Sequence, residues 1–447
     1  MTDRAPLPPR SRGLPVLGET LRFLRDPVSF AEARHARFGP AFRTQLFGSP
    51  TVFLAGADAN RWIFAGEYRY LQNRWPPTVR RLLGAASLSM LEGEAHRARR
   101  RLHAPRFGRA EVEALAPMID AVGRDHLGRW ATAGQISLVR RFKTLAFEVA
   151  TRFLVGAMTP EERYVLSEDF DTWVAGLFAP LPVAVPGAPF ARAVRAGERM
   201  TERLTALVRE RAQGGARGDD LLSAMLAARD GGEGLGERAL VEELQLLLFA
   251  GHDTTVTSAV NVMIHLALHP EALARARAEQ DTMGDGPIDA ERAAASTWLT
   301  QVIHESMRLI PPIGGAFRIT TEDTAWHGYR IPKGWTVMLA PRTTHYDAAA
   351  FSSPRRFDPA RFGADRAEHR RTPLAYVPFG GGPRLCLGQH VAMLEMQILL
   401  ARAVRDLEWE LIAPEPTWTA LPFPRPSDGG RVRIRPRHAS ARRRVRA

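Results

Sequence analysis

Cys386 is the only cysteine in this 447-residue chain, and it stands in the run Phe379-Gly-Gly-Gly-Pro-Arg-Leu-Cys-Leu-Gly388. A lone thiol cannot build a disulfide framework, a Cys₂His₂ zinc site or a redox pair. It is left as inert filler, a nucleophile or a single metal ligand. Free cysteine is ordinarily a small buried hydrophobe, but these neighbours point to a ligand. Three glycines let backbone approach something bulky, and the N–H groups of the loop and the following helix start can donate to a thiolate. Arg384, always charged, suits a carboxylate beside the same site. A thiolate next to a carboxylate-binding arginine suggests haem with its propionates. The nucleophile reading needs a histidine partner, and nothing in the sequence sets one of the thirteen histidines against Cys386.

Two further constellations could carry chemistry. Ala250-Gly-His-Asp-Thr-Thr255 lies within a predicted long helix, where a glycine costs about 1 kcal/mol relative to alanine and the β-branched run Thr254 to Thr257 adds crowding. Such weakness fits a widened turn where a small ligand meets backbone, with an acid and an alcohol beside it; it also fits a plain packing notch. His252, rotated one residue away, is read as structural. Glu305-Ser-Met-Arg308 places two charges three apart on one helix face. Apolar Val302, Ile303, Leu309 and Ile310 around them predict a pair held near the core.

The Cys386 decapeptide resembles the haem-binding loop of the cytochrome P-450 superfamily, with Phe379, Gly382, Arg384, Cys386 and Gly388 at its fixed positions. The resemblance runs from the proline-rich start to the helix after Cys386, with its landmarks in order. It implies a mainly α fold with a minor β lobe, the cytochrome P-450 fold, holding haem b (iron protoporphyrin IX) between the Gly251 helix and the Cys386 loop. Cys386 is then the axial iron ligand and Asp253 with Thr254 the proton-delivering pair. Glu305, Arg308 and Arg361 match the family's Glu–Arg–Arg network, a scaffold for the loop. His96 and Arg100 match the family's propionate spacing on a helix, and Arg318 and Arg384 complete four propionate candidates. Arg97, Arg99 and Arg101 are read as solvated or facing a redox partner. Phrases such as His35-Ala-Arg-Phe-Gly-Pro-Ala-Phe42 are similar to the bacterial branch related to retinoic-acid hydroxylases.

That resemblance implies hydroxylation of a C–H bond with O2 and two electrons from a separate ferredoxin and ferredoxin reductase. The alternatives are a peroxide-driven peroxygenase and a non-catalytic gas sensor or carrier, and the Asp253–Thr254 pair speaks against both. Segments lining the distal side in relatives are apolar here: Trp75 and Leu82, then Trp173, Leu177 and Phe178, then Leu248, Phe249 and Ala250, then Ile313 and Phe317, and finally Phe423. As a set they predict an isoprenoid, retinoid or fatty-acyl-like substrate; each alone could be core. Arg74 is a candidate partner for a substrate carboxylate at the pocket mouth.

Positioning these groups requires many helices and few strands. Residues 237–269 read as the longest helix, stopped by Pro270, and Ala41 to Ala55 as a hairpin turning at Gly48-Ser-Pro50. A second β-rich patch spans Ala316 to Leu339. Segment 1–20 is proline-rich, 21–436 one domain and 437–447 a basic, disordered tail. With 45% hydrophobic and 24% charged residues the composition is that of a globular enzyme. The formal charge of +13 suggests nucleic acid until its placement is seen: eight arginines and no acid fall between Arg431 and Ala447. Only two lysines occur, so coding bias explains the arginines and no nucleic-acid partner is expected. No apolar run of about eighteen residues predicts a transmembrane anchor. A cytoplasmic monomer is expected.

Overall fold

The computed structural model describes residues 5–437, apart from 16, 17, 180, 181, 184, 215–217, 233 and 422. The basic tail lies outside the described residues, except that Arg437 is tied to Asp281 by two bonds of 2.7 and 2.8 Å. Among the described residues no helix is long and apolar enough to cross a membrane.

The first hairpin forms as its alternation dictates, strands Ala41–Leu46 and Ser49–Leu54 pairing antiparallel. Its turn falls one residue early, on Phe47 and Gly48, both with positive φ, as a two-residue hairpin loop of right-handed twist requires. The cross-strand pair Phe42 and Phe53 stacks at 4.8 Å. The β-rich patch supplies Ala316–Thr320 and Thr336–Leu339, and with Leu71–Asn73 these complete a five-stranded sheet. Its order is Ala41–Leu46, Ser49–Leu54, Thr336–Leu339, Ala316–Thr320, Leu71–Asn73; only the second and third strands pair parallel. The proline-rich start runs along the edge of this sheet: Arg43 N donates to Pro9 O and Ser11 N to Arg43 O, both at 2.8 Å.

The rest is mostly helix, more than half of the chain. The long helix Glu237–Leu268 is buried on nearly every side, as a helix apolar all round must be. It packs against Leu138–Val155, Pro189–Ala212, Thr297–Leu309 and Gln389–Asp406. Pro270 ends it by opening the next helix as its first residue, where its missing N–H is no loss. The main core gathers Val256, Val260, Met263 and Ile264 of the long helix with Leu399 and Val404 of Gln389–Asp406. The long helix is therefore the beam on which any site in the interior must rest. Glu395, on the helix Gln389–Asp406, is buried in that region with Oε1 unbonded, and burial pushes its carboxyl up to about 8.

Candidate active site

Cys386 ends a loop shaped by its own backbone. Cys386 N donates to Phe379 O at 2.9 Å, and Gly380 and Gly382 take left-handed φ values of 72° and 62°. The bulky group the glycines admit is Phe64: a Cβ on Gly381 or Gly382 would come within 2.5 or 2.9 Å of its atoms. Phe379 packs against the main core, and Gly388 caps the helix that follows. Burial pushes the Cys386 thiol up, while the neighbouring Gly388 backbone N–H and the Arg100 charge pull it down. Cys386 is nevertheless exposed.

The four expected propionate partners converge beside the loop. Arg100 Nη1 donates to Leu385 O at 2.8 Å, and Arg384 Nη2 to Leu91 O at 2.9 Å. Arg384 Nε also meets Glu67 Oε2 at 3.0 Å and its Nη2 meets Glu92 Oε2 at 2.6 Å. Arg318 Nε donates to the other Glu67 oxygen and its Nη1 to Asn73 Oδ1 at 3.2 Å. His96 bonds the Tyr68 hydroxyl through Nδ1. It corrects the sequence reading in one respect: burial, then Arg384 and Arg100, lower His96 to about 4, so it is neutral at pH 7 and cannot serve as a cation. Glu67, Tyr68 and Glu92 were missed, because nothing local marks them. Arg99 is a second correction, being inward rather than solvated: its Nη1 lies 2.7 Å from buried Glu243. Arg97 and Arg101 are exposed and paired with Glu94.

On the long helix, Ala250 and Gly251 are exposed between buried neighbours, and a Cβ on Gly251 would meet nothing within 4 Å. Packing within the chain therefore does not explain the glycine. The helix is continuous α here, without the expected widened turn; Thr254 and Thr255 instead donate to the carbonyls of Ala250 and Gly251 at 2.8 and 3.0 Å. Asp253 is buried among three basic groups. Lys143 Nζ stands 3.9 Å and Arg425 Nη1 4.0 Å from Oδ1, and His252 Nδ1 3.4 Å from Oδ2. Burial would raise the carboxyl, but the His252 ring, Lys143 and Arg425 outweigh it and hold it below its ordinary value. The His252 contact lacks hydrogen-bond geometry, so Asp253 Oδ2 remains unbonded within the protein. His252, assigned to another face, thus belongs to this site after all, anchored by Nε2 to Lys143 O at 2.9 Å. Lys143 continues to half-exposed Asp171 at 2.5 Å.

The charged scaffold is fully buried: Glu305, Arg308 and Arg361 each show no accessible surface. Arg308 binds Glu305 through two bonds of 2.7 and 2.8 Å, Arg361 Nε reaches Glu305 at 3.1 Å, and Glu368, unforeseen, takes Arg361 Nη1 at 2.6 Å. A histidine carries this network to the cysteine loop. Val377 N–H donates to His345 Nε2 at 3.0 Å, so Nδ1 bears the proton and donates to Arg308 O at 3.1 Å.

The expected substrate-lining residues divide. Trp173, Leu177 and Leu248 are buried within a core cluster, on which Trp75, Leu82 and Phe249 pack, while Phe317 packs with Phe23 under the sheet. Phe178, 40% exposed, and Phe249 meet buried Phe423 at 5.6 and 6.4 Å, and Phe249 meets Trp173 at 6.1 Å. Ile313 is 44% exposed. Arg74 is half-buried, donating to Thr336 Oγ1 at 2.6 Å and Ser49 Oγ at 2.8 Å, with no carboxylate partner among the described residues. The segment from Gly84 to Met90 is tethered to the long helix by backbone: Ala86 N donates to Glu242 at 2.7 Å and Leu88 N to Glu243 at 2.9 Å.

An accessible sulfur, convergent arginines and an exposed glycine on the beam fit a flat, dicarboxylate cofactor with an axial thiolate. Comparison with known proteins agrees. Residues 8–427 match the family described as Cytochrome P450. The putative cytochrome P450 120 of Synechocystis sp. is 35% identical over 432 residues, 96% of this chain and 97% of its own. Human cytochrome P450 26C1 is 34% identical over 470 residues, covering 97% and 90%. A solved structure described as retinoic acid bound cyanobacterial CYP120A1 superposes with a TM-score of 0.91 at 35% identity, covering 97% of this chain and all of that one. By fold and by sequence over nearly its full length, this chain belongs to the cytochrome P450 family of haem-dependent monooxygenases.

Proposed function

We propose that this enzyme hydroxylates a C–H bond of an apolar isoprenoid acid of retinoid type, using O2 and electrons from a separate ferredoxin system, and that it works as a monomer. The observation that carries the site assignment is Cys386, a desolvated but accessible thiol beside a cluster of arginines. Bound haem supplies the iron at which O2 is activated. The chain's own residues do the rest. Cys386 would hold the iron through its sulfur, with the Gly388 backbone N–H beside it limiting how much charge the sulfur donates. Arg100, Arg318 and Arg384, with His96, would hold the propionates, and exposed Ala250 and Gly251 would leave room for a small ligand against the long helix.

Asp253 serves as the proton-exchange group. It is kept anionic by its basic neighbours, with Lys143 leading toward solvent at Asp171 and one carboxylate oxygen unbonded. Thr254 is next in the chain; to donate a proton it must release the Ala250 carbonyl. A sensor or carrier needs no such relay.

The substrate class is supported by the Trp173–Phe249–Phe178–Phe423 aromatic set, by the retinoic acid in the similar cyanobacterial structure, and by Arg74, whose guanidinium lacks an acidic partner among the described residues. Reduced, carbonyl-bound enzyme should show the red-shifted Soret band of thiolate ligation; a band typical of histidine ligation would end the Cys386 assignment. Titrations of the ferric spectrum with retinoids, terpenes and fatty acids should give the largest spin-state change with an isoprenoid acid. Arg74→Ala should weaken the acid but not the matching alcohol. Equal weakening of both would remove Arg74 from recognition.

A further inference from the structure

Between the helix Ala57–Gly66 and the strand Leu71–Asn73 the chain makes an unusual turn. Tyr68 adopts φ 63°, in the left-handed region that bulky side chains rarely enter. The consequence is that consecutive residues Glu67 and Tyr68 both reach the cation cluster beside the Cys386 loop. Glu67, without accessible side-chain surface, offers one oxygen to Arg318 and the other to Arg384. Tyr68 bonds His96 Nδ1, and its ring lies under Arg97 and Arg384, whose guanidinium carbons stand 4.7 and 5.8 Å from its centroid.

A neutral imidazole has one donor and one acceptor nitrogen, so what bonds Nδ1 decides what Nε2 can do. If the phenol donates to Nδ1, Nε2 carries the proton and can donate to a carboxylate. If Nδ1 donates to the phenol, Nε2 presents a lone pair, which a carboxylate repels. The neutrality of His96 makes this choice matter, since an imidazolium would donate from both nitrogens.

We infer that Glu67 and Tyr68 are positioning residues for the haem propionates: Glu67 aims Arg318 and Arg384 together, and the Tyr68 hydroxyl fixes His96 as an Nε2–H donor. This rests on the propionate assignment made under the proposed function. Glu67 also sets a fixed negative charge beside the cofactor, which lowers the haem reduction potential.

The test uses full-length haem-loaded protein, reading haem transfer to excess apomyoglobin and the ferric/ferrous potential. Tyr68→Phe removes one hydroxyl and keeps the ring. Transfer should quicken by roughly tenfold, the scale of an outer-shell ligand contact, while the melting temperature of the haem-free chain stays at the wild-type value. In a His96→Gln background, where the amide donates whatever Tyr68 does, Tyr68→Phe should have no further effect. Glu67→Gln should raise the potential. Unchanged transfer in Tyr68→Phe, an undiminished effect in the His96→Gln background, or an unmoved potential in Glu67→Gln would overturn the inference. Haem retention unaffected by His96→Ala and Arg384→Ala would instead sink the propionate assignment, and the inference with it.

Discussion

Thr254 shows how much a single hydroxyl is asked to do. Its proton is engaged with Ala250 O, and it neighbours an anionic Asp253. Thr254→Ala should leave substrate binding and oxygen consumption largely intact while product falls by about 10²-fold, the lower end of general acid–base effects, and peroxide appears instead. Parallel assays of oxygen, peroxide and product check this. Legibility at this scale followed sequence distance. Cys386, Asp253 and Thr254 stand out as candidates because loop or helix context surrounds them within a few residues. The groups that tune them do not: Lys143 and Arg425 reach Asp253 from 110 and 172 positions away, and Glu67 meets Arg384 across 317. An ion pair leaves no trace in either local window. His252 was misplaced because face geometry alone ignores the Lys143 carbonyl that draws its ring inward.

Among the elements, the long helix was read almost to the residue, since its apolar run is closed by Pro270. The hairpin was read with its turn misplaced, because Phe47 at positive φ is not a turn-former that composition announces. Gly251 gives a test of the helix as a cofactor wall. Open space around its Cβ predicts that Gly251→Ala stabilises the haem-free chain by up to about 1 kcal/mol, whereas Gly251→Val weakens carbon monoxide binding; melting curves and carbonyl titrations check both. The buried scaffold predicts the opposite balance. Arg308→Ala strands Glu305 and should destabilise the fold by roughly 3–5 kcal/mol, seen in denaturant unfolding. Glu395 predicts a pH dependence. Its folded-state pKa, about 8, lies above the ordinary 4.5, so the unfolded chain loses this proton first and stability falls as pH rises from about 4.5 to 8. Glu395→Gln lacks that titration. Its melting temperature should gain on wild type across this interval and hold its lead above it.

At the scale of the molecule, the family fold was legible because its landmarks lie along the sequence in order; the division of apolar residues between core and pocket was not, since hydrophobicity is the same signal for both. Trp173, Leu177 and Leu248 are core side chains, whereas Phe178 is exposed. Whole-molecule charge likewise said little about partners until the tail was set apart. The tether of the 84–90 segment carries one more consequence. Glu242 and Glu243 grip this segment by the main-chain N–H groups of Ala86 and Leu88, which every residue but proline possesses. The segment can therefore exchange side chains over evolutionary time without slipping its mooring on the long helix.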